Sequence, residues 1–186
     1  QKGMPDPDDM HIEDLFHALR FAFLILAQQK ELYVLHSASF LYRGRAFLVS
    51  GSSGTGKSTH SALWHDLYQT PLLNGDLNLL GIRDSIPYAY GLPWCGTSGI
   101  CTPKDYPLGG IIFLKQAAID QVQSLQPDEK VLHILQRMIS PAWTKELLLR
   151  NLHFSEALAP LIFSCRLYCT KESSAARTLK AAIDAL

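Results

Sequence analysis

Gly51-Ser52-Ser53-Gly54-Thr55-Gly56-Lys57-Ser58 matches the pattern G-x-x-x-x-G-K-[ST] at every fixed position. Glycines at this spacing let the backbone curl until successive N–H groups point inward and cradle an anion. A helix opening at the end of the loop aims its positive dipole end at the same point. In such a loop Lys57 reaches the β- and γ-phosphates of a nucleotide, and Ser58 offers its hydroxyl to Mg2+. About one random chain of this length in a hundred would match by accident, and the context lowers those odds. The apolar run at residues 46–49 leads in as a strand, and residues 58–68 lead out as a helix. Trp64 and Tyr68 stand four apart in that helix, as core contacts do. Gly51, Ser52, Ser53, Gly54, Thr55, Gly56, Lys57, Ser58 and Thr59 are thus the candidate contacts to the phosphates of a nucleotide.

A phosphate loop needs an acid from a neighbouring strand to help hold the metal. Asn74-Gly75-Asp76, inside the apolar stretch PLLNGDLNLL, supplies Asp76 nineteen residues after Lys57. The intervening helix is long enough for a right-handed crossover to a parallel strand beside the first. Asp76 and Ser58 are therefore the candidate metal ligands, although Asn-Gly-Asp alone would read as a plain turn.

Outward from these motifs the chain alternates strands and helices. Residues 8–28 place Ile12, Leu15, Phe16, Leu19, Phe23 and Leu26 at helical spacing, with Asp8 or Asp9 as N-cap. LYVLHSASFLY and AFLVS, separated by Arg43-Gly44-Arg45, read as a strand pair with a glycine turn. Residues 88–90 form a short strand before a loop rich in glycine, proline and aromatics. The continuous apolar run at residues 111–115 suits a strand covered on both faces. One helix starts near Asp128 with Val131, Leu132, Leu135, Met138 and Ile139 on a single face. A second opens at Ser140-Pro141, an N-cap followed by proline. A strand holding Cys165 and a closing helix from about Thr170 complete an α/β pattern with a mainly parallel or mixed sheet.

The chain has 186 residues, a length for one domain, with residues 1–30 as an N-terminal helical segment and residues 31–186 as the main body. Seventeen basic and seventeen acidic side chains cancel, which argues against a nucleic-acid binder. The longest apolar run, residues 21–27, is too short to cross a bilayer, and the first ten residues carry no signal-peptide pattern. These features, with only four cysteines, fit a cytoplasmic protein with no membrane partner. Cys165 and Cys169 share one strand face roughly 13 Å apart at about 3.3 Å per residue, too far for a disulfide or a shared metal, so both read as core residues.

Leu35-His36, the strand pair, the glycine loop and Asp76 together resemble the HPr kinase/phosphatase family and, more distantly, ATP-dependent phosphoenolpyruvate carboxykinase. The resemblance runs over residues 35–114. It implies a P-loop-containing mixed sheet flanked by helices, of the HPr kinase C-terminal-domain type, and an ATP- and Mg2+-dependent kinase. His36 precedes the loop at the separation of a histidine in that family, which implies a role as base or orienter beside Asp76. GLPWCGTSGI resembles a segment of a subgroup of small HPr-kinase-like proteins, some associated with peptide natural products. That subgroup implies phosphorylation of a serine on a precursor peptide such as a lasso peptide; a homo-oligomer is compatible with it. Two departures stand out. The family has adjacent acids where this chain has Gly75 and Asp76, and Trp94-Cys95-Gly96-Thr97-Ser98-Gly99 replaces its later Glu- and Arg-containing signature. Both count against phosphatase activity and against HPr as substrate.

Arg83, Arg137, Arg150 and Arg166 are the candidate clamps for transition-state charge, and the sequence does not choose among them. Gly96-Thr97-Ser98-Gly99 reads equally as a flap over the phosphates or as a surface turn. Two other functions remain open at this stage: a small-molecule kinase or nucleotide hydrolase, and a nucleotide-binding pseudokinase or regulator, to which Gly75 lends weight.

Overall fold

The computed structural model describes residues 7–186, without the side chains of residues 7–11, 13 and 97. Gln1-Lys2-Gly3 and the rest of the first six residues lie outside it. Helix α1 (Pro7–Gln29) leads into β1 (Tyr33–Tyr42) and β2 (Arg45–Ser50), then α2 (Lys57–Tyr68), β3 (Leu72–Asn74), β4 (Leu77–Arg83) and β5 (Ile86–Tyr90). A 3-10 turn (Gly96–Ser98), β6 (Tyr106–Gln116), β7 (Gln121–Ser124), α3 (Pro127–Arg137), α4 (Lys145–Leu158), β8 (Phe163–Cys169) and α5 (Ser173–Asp184) follow. The result is a mixed α/β architecture, an eight-stranded mixed sheet flanked by helices.

Two long strands give the sheet its shape. The first half of β1 pairs with β4 and the second half with β2 and β3, all antiparallel. The start of β6 pairs with β5, and its remainder lies parallel to β2 and β8. The order β2-β1-β4-β5-β6 therefore closes back on β2, with β8 and β7 beyond β6. One apolar core, including Leu35, Leu48 and Ile111, is covered by Ile134 of α3 and Phe154 and Leu158 of α4. A second, including Phe40, Val49 and Ile112, is covered by Trp64 of α2 and Ala176 and Leu179 of α5. Adjacent residues of β6 go to opposite cores, as expected for a strand buried on both faces. Trp64 is fully buried with its ring 5.2 Å from that of Tyr68.

Several expectations are corrected. The strand after α2 does not return beside the phosphate-loop strand: β3 and β4 lie antiparallel to β1, and β6 is the parallel neighbour of β2. Helix α1 begins at Pro7, which puts Asp8 and Asp9 inside its first turn rather than at its cap. Of its expected apolar stripe, Phe23 packs inward, beside Leu24 and Ala27, whereas Ile12, Leu15, Phe16, Leu19 and Leu26 are exposed. Helix α3 ends at Arg137, so Met138 and Ile139 leave the helix, Leu132 is exposed and Ile134 is the buried member. Ser140-Pro141 opens no helix. Thr144 caps α4, its side chain accepting from the Leu147 N–H, while the Ser140 hydroxyl accepts from the Val34 N–H. Helix α5 starts at Ser173, three residues beyond the expected point.

Cys165 and Cys169 are free and buried as expected, and burial pushes their thiols up to about 12 and about 11. No helix among the described residues is long and apolar enough to cross a membrane.

Candidate functional site

The glycine loop joins β2 to α2. Gly54 and Gly56 take φ values of 76° and 100°, which only glycine adopts without strain. Gly56 is also the N-cap of α2; no side chain caps that end and no acid occupies the first turn. The first N–H groups of the helix are thus turned toward the loop without a competing carboxylate. Thr55 closes the curl, its hydroxyl donating to the Ser52 carbonyl at 2.7 Å. Lys57 bends back over it, Nζ donating to the carbonyls of Gly51 at 3.3 Å and Ser52 at 3.4 Å. Ser58 and Thr59 begin α2 and are exposed.

The hairpin register carries the second half of the site. Ser37 pairs with Ser50, which sets His36 beside the start of the loop. The Ser50 hydroxyl fixes that join by donating to the His36 carbonyl at 2.7 Å. Across β1, His36 pairs with Leu77, so Asp76 arrives next to it. His36 Nε2 stands 3.4 Å from Asp76 Oδ1. Burial, and then the Lys57 charge, hold the imidazole below its ordinary pKa, against the pull of Asp76; Arg137 and Arg20 push the same way as Lys57. The imidazole beside Asp76 is therefore neutral at pH 7. Lys57 is likewise held low by burial, opposed by Asp76.

Asp76 protrudes from a kink between β3 and β4. The Asn74 side-chain oxygen accepts from the N–H groups of Asp76 at 2.9 Å and Leu77 at 3.1 Å, an Asx turn. The Asn74 amide in turn donates to the carbonyls of Leu92 and Trp94. Beneath the kink the Ser39 hydroxyl donates to the Asn78 side-chain oxygen, and the Asn78 amide donates to Ser37. The 3-10 turn closes over the kink. A Cβ added to Gly75 would collide with the Ser98 hydroxyl, and one added to Gly96 would stand 2.9 Å from Asp76 Cγ. Ser98 thus takes up the space that any side chain at position 75 would need. Trp94 and Tyr90 pack against the small core under α1, with Trp94 4.5 Å from the Phe23 ring.

The four candidate arginines separate cleanly. Arg83 lies over the Tyr88 ring, Arg150 pairs with Glu146 on the surface of α4, and Arg166 is held by His133, Gln123 and Glu129. Only Arg137 reaches the loop, its Nη2 donating to Ser52 Oγ at 3.3 Å, while its Nε is buried without a partner. Arg20 of α1, near enough for its charge to act on His36, was not a sequence candidate. Only the docking of α1 brings it there, and no local pattern announces it. Buried amides secure that docking: the Gln28 side chain donates to the Pro141 carbonyl at 2.9 Å and to Asn151 Oδ1 at 2.7 Å.

Ser58 and Asp76 suit Mg2+ that arrives with a nucleotide, because Mg2+ normally takes one or two protein oxygens together with phosphates and waters. Among the described residues no group of three or more His, Cys, Asp and Glu stands ready to hold a metal by itself. An anion entering the loop would meet backbone N–H groups, Lys57 and Arg137, with an acid and a neutral imidazole at one edge.

No protein-family model and no curated protein matches the chain significantly. Among solved structures it is similar to the Hpr(Ser) kinase/phosphatase from Coxiella burnetii, with a TM-score of 0.43, 8% identity, and 82% of this chain and 93% of that one covered. That is a likeness of outline, too distant to carry residue roles across.

Proposed function

We propose that the chain is an ATP- and Mg2+-dependent kinase that moves the γ-phosphoryl group to a hydroxyl, with a serine of a peptide or protein as acceptor. The observation that supports it is the meeting of Lys57 and Arg137 with the His36–Asp76 pair at one glycine cradle. Phosphoryl transfer is mostly positioning and charge neutralisation, which this set of groups can provide. The loop N–H groups and Lys57 hold the phosphates, and Ser58 with Asp76 would hold Mg2+, which would supply positive charge against that building on the phosphate oxygens. The acceptor oxygen bonds to the γ-phosphorus as the bond from that phosphorus to the bridging oxygen breaks. The nucleoside diphosphate leaves, and the hydroxyl proton passes to the His36–Asp76 pair. Arg137 steadies the charge on the transferring group. The choice of a serine acceptor rests on the resemblance of residues 35–114 and the GLPWCGTSGI segment, which also favours a precursor peptide.

A second reading, nucleotide binding without transfer, draws on one observation: Ser98 fills the space that an acid at position 75 would need. Calorimetric titration with Mg·ATP, followed by mass detection of phosphate on serine peptides, separates the two. The kinase reading expects binding and transfer. Lys57→Ala weakens ATP about 100-fold, as loss of charge-assisted phosphate contacts should. Asp76→Asn keeps ATP binding and loses transfer. Undiminished transfer by Asp76→Asn, or a silent titration of the parent, sinks the proposal.

A further inference from the structure

Most of the stripe that helical spacing marks as apolar on α1 faces outward. Ile12, Leu15, Phe16, Leu19 and Leu26 are each between 48% and 67% exposed. Single exposed leucines are ordinary, but large apolar side chains running along one helix face form a contiguous patch, and such a patch marks an interaction surface. Ile12, Leu15, Leu19, Ala22 and Leu26 follow one another at steps of three and four, the spacing of a seam between two packed helices. At 1.5 Å per residue that seam is about 21 Å long. Phe23, Leu24 and Ala27 hold the helix to the body from an adjoining side, and none of the described residues covers the seam itself.

The charges on the helix favour one kind of partner. Asp8, Asp9, Glu13 and Asp14 all precede the middle of the seam, whereas Arg20 and Lys30 follow it. A second copy laid antiparallel sets the acidic half against the basic half; one laid parallel sets acids against acids. In the antiparallel pair Leu19 meets its own counterpart on a two-fold axis, and Ile12 meets Leu26. The patch is thus complementary to itself, as an isologous interface requires. The five exposed side chains offer on the order of 600 Å2 per copy, and the roughly 1,200 Å2 that a pair covers lies at the lower end of stable, specific interfaces. A membrane surface suits the helix less well. Helices that lie on anionic lipid carry basic polar faces, and this one holds four acids to one arginine.

We propose that the outer face of α1 joins two copies of this chain, antiparallel and centred on Leu19. The pairing also steadies the helix that brings Arg20 within reach of His36. It does not depend on what the glycine loop binds.

Sedimentation equilibrium of the full chain tests it. The parent is expected to show twice the mass of one chain at micromolar concentration. Leu19→Glu brings like charges together at the axis and is expected to weaken association at least about 100-fold. Its circular dichroism should match the parent's, because residue 19 lies outside the core of a single copy. An equal mixture of Leu19→Glu and Leu19→Lys is expected to regain the double mass. Ile12→Lys should weaken the pair, and Leu26→Glu in the same chain should restore it, which only the antiparallel arrangement allows. Should Leu19→Glu lose its fold, the mass of the parent and the substitutions at 12 and 26 decide. A monomeric parent overturns the inference, and flotation of that monomer with phosphatidylserine vesicles would give the face to a lipid surface. A dimer that Leu19→Glu leaves intact overturns it too, since the copies then meet elsewhere, as does a failure of Leu26→Glu to restore the pair.

Discussion

Between Ser50 and Lys57 the loop takes its shape from its own glycines and from the open end of the helix that follows. The kink at Gly75 and Asp76, a few residues away in space, takes its shape from elsewhere: Asn74, the serines of β1, Asn78, and the 3-10 turn more than twenty residues downstream. The first is written within eight consecutive residues, whereas the second is an agreement among three separate stretches of chain. A locally encoded element survives changes around it and is lost by changes within it. A jointly held element can be displaced by any of its partners.

Changes at the shared edge of these regions test that contrast. Arg137 comes from α3 and touches the loop only through Ser52. Arg137→Ala is expected to slow transfer about 1,000-fold, the lower end of what a cis or trans arginine supplies to phosphoryl transfer, with ATP affinity nearly unchanged by calorimetry. An equal loss in affinity would make Arg137 a part of the cradle rather than an outside contributor.

The second test concerns the kink. Gly75→Asp is expected to cost about 1–3 kcal/mol of stability by overpacking against Ser98, read as a lowered midpoint of thermal unfolding. Ser98→Gly is expected to do less harm in that background than in the parent, because the two sites are coupled. Additive losses would break the picture of a jointly held turn. The same cycle measures transfer, and a gain in rate on placing an acid there would favour the view that the native site is degenerate.

The smallest effect is pH dependence. His36, His60 and His133 all have folded pKa values below the ordinary 6.5, burial being the first cause in each. Between the folded value and 6.5 the unfolded chain binds more protons, so this stability is complete above 6.5 and is lost as pH falls through the folded values. Asp120 and Asp184, held below the usual carboxylate range, lose theirs only at lower pH. The thermal midpoint is therefore expected to drop between pH 7.5 and 5.5. His60→Phe should flatten that drop more than His36→Asn, since His60 is the more deeply buried. A flat profile in the parent would contradict the neutral assignment of these rings.

Sequence legibility followed the same divide. The loop, the hairpin around Arg43 and Gly44, and the core cysteines are each set by neighbours in the chain, and each stands where the pattern put it. Strand β7 escaped notice because Gln121, Gln123 and Ser124 face solvent, leaving no apolar alternation to read. Helix α1 was legible as a helix, but its buried face was not, because residues 21–27 are apolar all round and distant partners, Trp94 against Phe23 and the groups that bind Gln28, select the side. Ser140-Pro141 imitates a helix start, whereas its serine serves the edge of β1. Arg137 could not be picked from four arginines without knowing that α3 ends over the loop. Asp76 was found from its motif, but the obstruction at Gly75 depends on Ser98, and no spacing rule links those positions.

The β1–β2 hairpin has one more consequence. Arg43 and Gly44 both take positive φ, 51° and 73°, the two-residue turn that pairs Tyr42 with Arg45 and fixes every later pair. Side chains alternate faces with a period of two, so sliding β1 by one residue would swing His36 to the far side of the sheet. The spacing between the imidazole and the cradle is consequently counted in whole residues. Insertion of one amino acid at the bend would invert the parity of the strand and leave the glycine motif intact but facing no imidazole.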